Sequence, residues 1–269
     1  MNDREILLNS IFFPRPSCKG KDEKDHLIEV ENDIHIAARF FLRNKNYPTI
    51  LFFHGNAELS HEYDDIARYY HEHQLNFIVA DYRGYGLSSG TPTKDNLHSD
   101  SNRVFLYVKS FLDANAYNQK RIIMGRSLGS ASACEIISNH ESDIDGCVIE
   151  SGFATEIPLL KILDLEADDV DYNPAHGFDN LKKLTNYRGP LLVIHAEIDD
   201  IISLGGTAVG MSTAPELMKA QELKLNVIGI SCLTNYGSGL QDEILSHEAV
   251  LGVSSKVQKK FSELMKKII

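Results

Sequence analysis

Short apolar runs alternate with amphipathic stretches along most of the chain. Residues 27–31 and 34–42 read as two strands of a hairpin, joined by the turn Asn32-Asp33. Residues 49–53, 77–80, 121–124, 146–150 and 190–195 are short enough, and apolar enough, to be buried strands. Between them, residues 60–73 place Tyr63, Ile66, Ala67 and Tyr70 on one helical face, with Ser60 in the position of an N-cap. Residues 94–113 form a second helical stretch, and the small residues 130–134 suit a closely packed third. Farther on, residues 215–223 read as helix and 225–231 as a buried strand. Residues 248–268 repeat Val250, Val253, Val257, Phe261, Leu264 and Ile268 at helical spacing. Strands alternating with helices imply an α/β fold whose mostly parallel sheet carries helices on both faces. No linker divides the pattern, so the expectation is one domain over 1–269, with 1–26 as a loosely ordered lead-in and a charge cluster at 19–24.

In such sheets, sites form in the loops at the carboxyl ends of the strands. Four of these ends carry chemistry: His54-Gly55-Asn56, Asp81, Ser127, and the run His195 to Asp200. The third is the most informative. Gly125-Arg126-Ser127-Leu128-Gly129 stands between an apolar strand and a small-residue helix, the nucleophile-elbow pattern. Its glycines are required sterically, because the serine sits on a strained turn and flanking side chains would collide with strand and helix. The turn lifts the hydroxyl clear of the sheet and brings the Leu128 amide to a helix start, where it can stabilise an oxyanion. The Asn56 amide, beside Gly55, is the natural second donor. Asp199, shortly after a buried strand and later in the chain than the serine, is a candidate to orient a catalytic base, the alternative being a loop or capping carboxylate. His54 reads as a packed, hydrogen-bonded histidine rather than a catalyst.

Composition narrows the partners. A net charge of −11 argues against nucleic acid or anionic membrane as the main partner. No apolar run reaches the roughly 18 residues of a membrane span, and the first ten residues lack a signal-peptide core, so the expectation is a cytoplasmic protein. The cysteines Cys18, Cys134, Cys147 and Cys232 form no CxxC pair, and Cys134 and Cys147 lie in apolar surroundings, so buried thiols are expected there rather than disulfides or metal ligands, and no metal or cofactor is implied.

With these pieces in place, the chain resembles the α/β-hydrolase family of serine hydrolases. The resemblance rests on His54-Gly55-Asn56, Asp81-Tyr82-Arg83-Gly84-Tyr85-Gly86-Leu87-Ser88, the elbow, and His195-Ala196-Glu197-Ile198-Asp199, and covers about residues 27–203. It implies an α/β-hydrolase-like sheet, Ser127 as nucleophile, Asp199 as triad acid with Asp200 as fallback, and Asn56 and Leu128 as oxyanion donors. Residues 152–187 would be a small cap, whose Ile157, Leu159, Leu160, Ile162 and Leu163 suit an apolar acyl group of a small-molecule substrate.

The remainder departs from that pattern. The family places its histidine soon after the last strand, often as Gly-x-Gly-His, and here Gly237-Ser238-Gly239 is followed by Leu240. Residues 205–269 instead resemble the C-terminal part of trimeric purine nucleoside phosphorylases, through the stretches 205–216, 233–235 and 246–251. That resemblance implies Ser212 at phosphate, Met211 and His247 at ribose, and Asn235 at the purine. Residues 1–204 show none of the family's other contacts, so these positions read as vestigial in a chimera whose tail supplies the last helix, strand and helix of the sheet. His247 is the one histidine after Asp199. It is either the catalytic base or a helix-start histidine with no catalytic part.

Three functions follow as expectations. The first is a serine hydrolase of an ester, thioester or amide, with turnover impaired where the family's histidine is lost. The second is a catalytically silent binding protein of the same fold, and the third a nucleoside phosphorylase. Oligomeric state is left open by the sequence.

Overall fold

The computed structural model describes residues 11–155, 177–194 and 229–230. The chain packs as two compact units, Met1–Leu191 and Leu192–Ile269. In the first, six strands lie in the order β1-β2-β4-β3-β5-β6. They are β1 (Asp25–Glu31), β2 (Ile34–Phe41), β3 (Thr49–Phe53), β4 (Asn76–Ala80), β5 (Arg121–Arg126) and β6 (Gly146–Glu150). β1, β2 and β4 pair antiparallel, whereas β4, β3, β5 and β6 run parallel. This is the α/β-hydrolase arrangement, a hairpin leading into a parallel sheet. Around the boundary, β7 (Leu191–Ile194) pairs in parallel with β8 (Gly229–Ile230), Val193 opposite Gly229 and Ile194 opposite Ile230. The remainder of the expected 215–268 helix-strand-helix lies outside the described residues.

Four helices are described: α1 (Ala67–Glu72), α2 (Lys94–Ala114), α3 (Gly129–His140) and α4 (Asn180–Asn186). Strand alternation distributes them over the two faces. Phe77 stacks with both Phe41 and Phe52, and Tyr70 of α1 lies flat on Phe77 at 3.9 Å. On the other face, Phe40 meets Phe111 of α2 edge-on at 5.2 Å. The small-residue run makes α3 the central helix, with Ser130 to Cys134 all buried. Cys134 and Cys147 are buried free thiols.

Two local expectations are corrected. Ser60 does not cap a helix running to 73; residues Ser60–Tyr63 form a separate 3₁₀ turn and the α-helix starts only at Ala67. The cause is tertiary, since the Ser60 hydroxyl donates to Asp81 Oδ2 at 2.7 Å and its amide to Oδ1 at 2.8 Å. Nor are residues 11–24 loose. Ile11 and Phe12 are buried, and Asp22, inside the 19–24 charge cluster, accepts from the buried Arg39 together with Asp25 and Asp64.

Candidate active site

Paired β3 and β5 end side by side, with Phe53 opposite Gly125, so the loops that follow them are neighbours. Ser127 takes φ +50°, a left-handed conformation that costs a non-glycine residue about 1–3 kcal/mol. The turn is held by its surroundings: the Ser127 amide donates to the Glu150 carbonyl at 2.9 Å, and its own carbonyl accepts from the Ser130 amide at 3.0 Å and the Ser130 hydroxyl at 2.6 Å. A Cβ on Gly125 would overlap the Gly129 carbonyl, and one on Gly129 would overlap the Phe53 carbonyl. Both glycines therefore exist so that the helix can begin in contact with the strands. Leu128 has helical dihedrals at the start of α3.

Across from the elbow, Asn56 is clamped through its side chain. Its Nδ2 donates to the Ile11 carbonyl at 2.6 Å, while its Oδ1 accepts from the Phe13 amide at 3.1 Å, the Tyr85 hydroxyl at 2.6 Å and the Ala57 amide at 3.0 Å. Among the described residues, the backbone amides of Asn56 and Leu128 have no acceptor. Backbone N–H groups left without an acceptor in the loops after two paired strands are the kind of donor an oxyanion hole needs. The sequence pattern indicated these two amides, but not the lead-in that holds Asn56; its only signal was the apolar Ile11-Phe12-Phe13 within a polar stretch.

His54 is fully buried. Its Nε2 lies 3.0 Å from Asp81 Oδ1 and its Nδ1 2.7 Å from the Gly55 carbonyl, so neither nitrogen is available to the serine. The expectation of a packed histidine matches this geometry. Among the described residues no histidine nitrogen hydrogen-bonds the Ser127 hydroxyl. Asp199, Asp200, His247, Met211, Ser212, Asn235 and most of the 152–187 cap lie outside the described residues.

A charged group sits beneath the two loops. Arg126 is ion-paired with Glu58 and rests over the rings of Tyr63 and Phe52, at 5.9 and 6.0 Å. Glu150 is its register partner on β6. Burial works against ionisation of Glu58, but the Arg126 charge and the hydrogen bonds from Tyr63 and Arg126 outweigh it and hold the carboxyl below its ordinary range. Glu150 is shifted the other way, its desolvation exceeding the help from Arg126. Among the described residues, no group of three or more His, Cys, Asp and Glu side chains is disposed to hold a metal, and no helix is long and apolar enough to cross a membrane.

Comparison with known proteins fits this geometry and the composite sequence. Residues 44–165 match the family described as serine aminopeptidase, S33, and residues 186–269 match the phosphorylase superfamily. The chain thus joins a hydrolase-like segment to a phosphorylase-like one, the second match beginning upstream of residue 205. Purine nucleoside phosphorylase 1 of Bacillus subtilis is 40% identical over 134 residues, 50% of this chain and 48% of that protein. Human α/β hydrolase domain-containing protein 17B is 29% identical over 159 residues, 57% of this chain and 51% of that protein. The chain spans about half the length of these curated relatives. An esterase of Pyrococcus furiosus shares the fold, with TM-score 0.60 at 14% identity, covering 94% of this chain and 98% of that one.

Proposed function

We propose that the protein is a serine hydrolase that cleaves an ester, thioester or amide through an acyl-enzyme on Ser127. The observation that carries this reading is the strained Ser127 on the turn after β5, with the Leu128 amide next to it and the Asn56 amide in the loop after the paired β3, both without an acceptor among the described residues. Ser127 Oγ would attack the acyl carbonyl while the amides hold the developing oxyanion. A base takes the serine proton and returns it to the leaving group, and water then releases the acyl group by the same steps in reverse order. From chain order, Asp199 is assigned as the orienting acid and His247 as that base. Apolar residues 157–163 suit the acyl chain of a small-molecule substrate.

Hydrolysis of a chromogenic short-chain ester by the full chain tests the reading. Turnover abolished in Ser127→Ala is the expected result; turnover equal in the two proteins would refute it. The matched phosphorylase segment does not carry phosphorolysis. Phosphate and nucleoside must be held together in one geometry, and Met211, Ser212, Asn235 and His247 are too few groups to do so. Inosine with phosphate should give no hypoxanthine.

A further inference from the structure

Glu58 gathers donors from three separate elements. Its Oε2 accepts from the Gly55 amide at 2.9 Å and from the Tyr63 hydroxyl at 2.6 Å, and its Oε1 pairs with Arg126. Gly55 immediately precedes Asn56, and Arg126 immediately precedes Ser127. One carboxylate therefore ties the residue before one candidate oxyanion donor to the residue before the nucleophile. The fit is close on both sides. A Cβ on Gly55 would stand 2.9 Å from Glu58 Oε1, and the guanidinium is laid between the carboxylate and the rings of Phe52 and Tyr63.

We propose that the Arg126–Glu58 pair is a positioning strut that sets the separation of the Asn56 and Leu128 amides, and so the strength of the oxyanion hole. The inference rests on the hydrolase reading and adds to it two residues that touch no substrate. It also gives the elbow's variable position a task, since an arginine already neutralised by Glu58 and facing Glu150 is poorly suited to receive an anionic substrate. The Asn56 side-chain clamp ties the loop to the lead-in and to Tyr85; the strut ties it to β5. An ion pair that is part-buried and fixed by further hydrogen bonds keeps a geometry that an exposed pair would not.

The test compares the wild-type full chain with Arg126→Gln, Glu58→Ala and Glu58→Gln, each confirmed folded by its urea midpoint. Two quantities are read: amide hydrogen exchange at Gly55, and the second-order rate of fluorophosphonate labelling of Ser127. The strut predicts faster Gly55 exchange and labelling slowed about 10- to 100-fold in Arg126→Gln and Glu58→Ala, somewhat less than outright loss of an oxyanion donor. Glu58→Gln keeps an acceptor for the Gly55 N–H but turns an amide NH2 toward Arg126, so its Gly55 exchange and its labelling rate should fall between those of wild type and Glu58→Ala. Unchanged Gly55 exchange in both disruptive variants overturns the strut. Faster exchange with unchanged labelling also overturns it, because the pair would then be structural only. If wild type is not labelled at all yet Gly55 exchange responds, the tie between the loops stands and the hydrolase reading falls.

Discussion

Ser127, Gly125 and Gly129 act as one unit, because the serine's left-handed backbone is affordable only where the helix start touches the strand ends. Gly129→Ala would drive a methyl into the Phe53 carbonyl, backbone against backbone, with no flexible side chain to move aside. Overpacking of this kind costs about 1–3 kcal/mol, and more where the backbone must shift. A urea midpoint within error of wild type would contradict the packing described. His98 gives a second prediction at the same scale. Desolvation, aided by the Lys183 charge, lowers its pKa from the ordinary 6.5 to about 4. Between those values the unfolded chain binds the proton that the folded chain refuses, so this group's stabilising effect is complete above about 6.5 and falls away as pH drops toward 4. His98→Asn should therefore lose less stability than wild type between pH 7 and pH 4.5 in urea titrations, and equal losses would contradict the assignment.

At the level of elements, the sheet was legible because burial on both faces writes itself as continuous apolar runs. Residues 49–53 and 146–150 are strands at the very bounds that their composition implies. The 60–73 stretch departs from its helical pattern for a reason outside local sequence. Ser60 has the chemistry of a cap, but a buried Asp81 across the fold claims both its amide and its hydroxyl. The 19–24 charge cluster is ordered for a like reason: Asp22 and Asp25 pair with Arg39 of β2, whose burial cannot be inferred from the cluster itself. Packing on the α1 face gives the prediction for this scale. Phe77 is fully buried among Tyr70, Phe52 and Phe41, so Phe77→Ala should cost about 3–5 kcal/mol in equilibrium unfolding. A cost below about 1 kcal/mol would mean that α1 does not seal this face as described.

For the whole molecule, the composite character was legible because two separate sets of motifs lie in order along one chain. The candidate nucleophile and both candidate oxyanion donors could be named from Gly125–Gly129 and His54–Asn56, since each depends on local backbone chemistry. The Glu58–Arg126 tie could not, because it joins side chains 68 positions apart and only the sheet brings them together. Everything in the proposed reaction depends on Ser127 being a working nucleophile served by a base from the phosphorylase-like segment. Intact-mass labelling with a fluorophosphonate, on wild type, Ser127→Ala and His247→Ala, tests it most directly. The expected result is a single adduct on wild type that is lost in both variants. An adduct that persists in His247→Ala would place the base elsewhere, and a folded wild-type protein that takes no adduct would contradict the hydrolase mechanism itself.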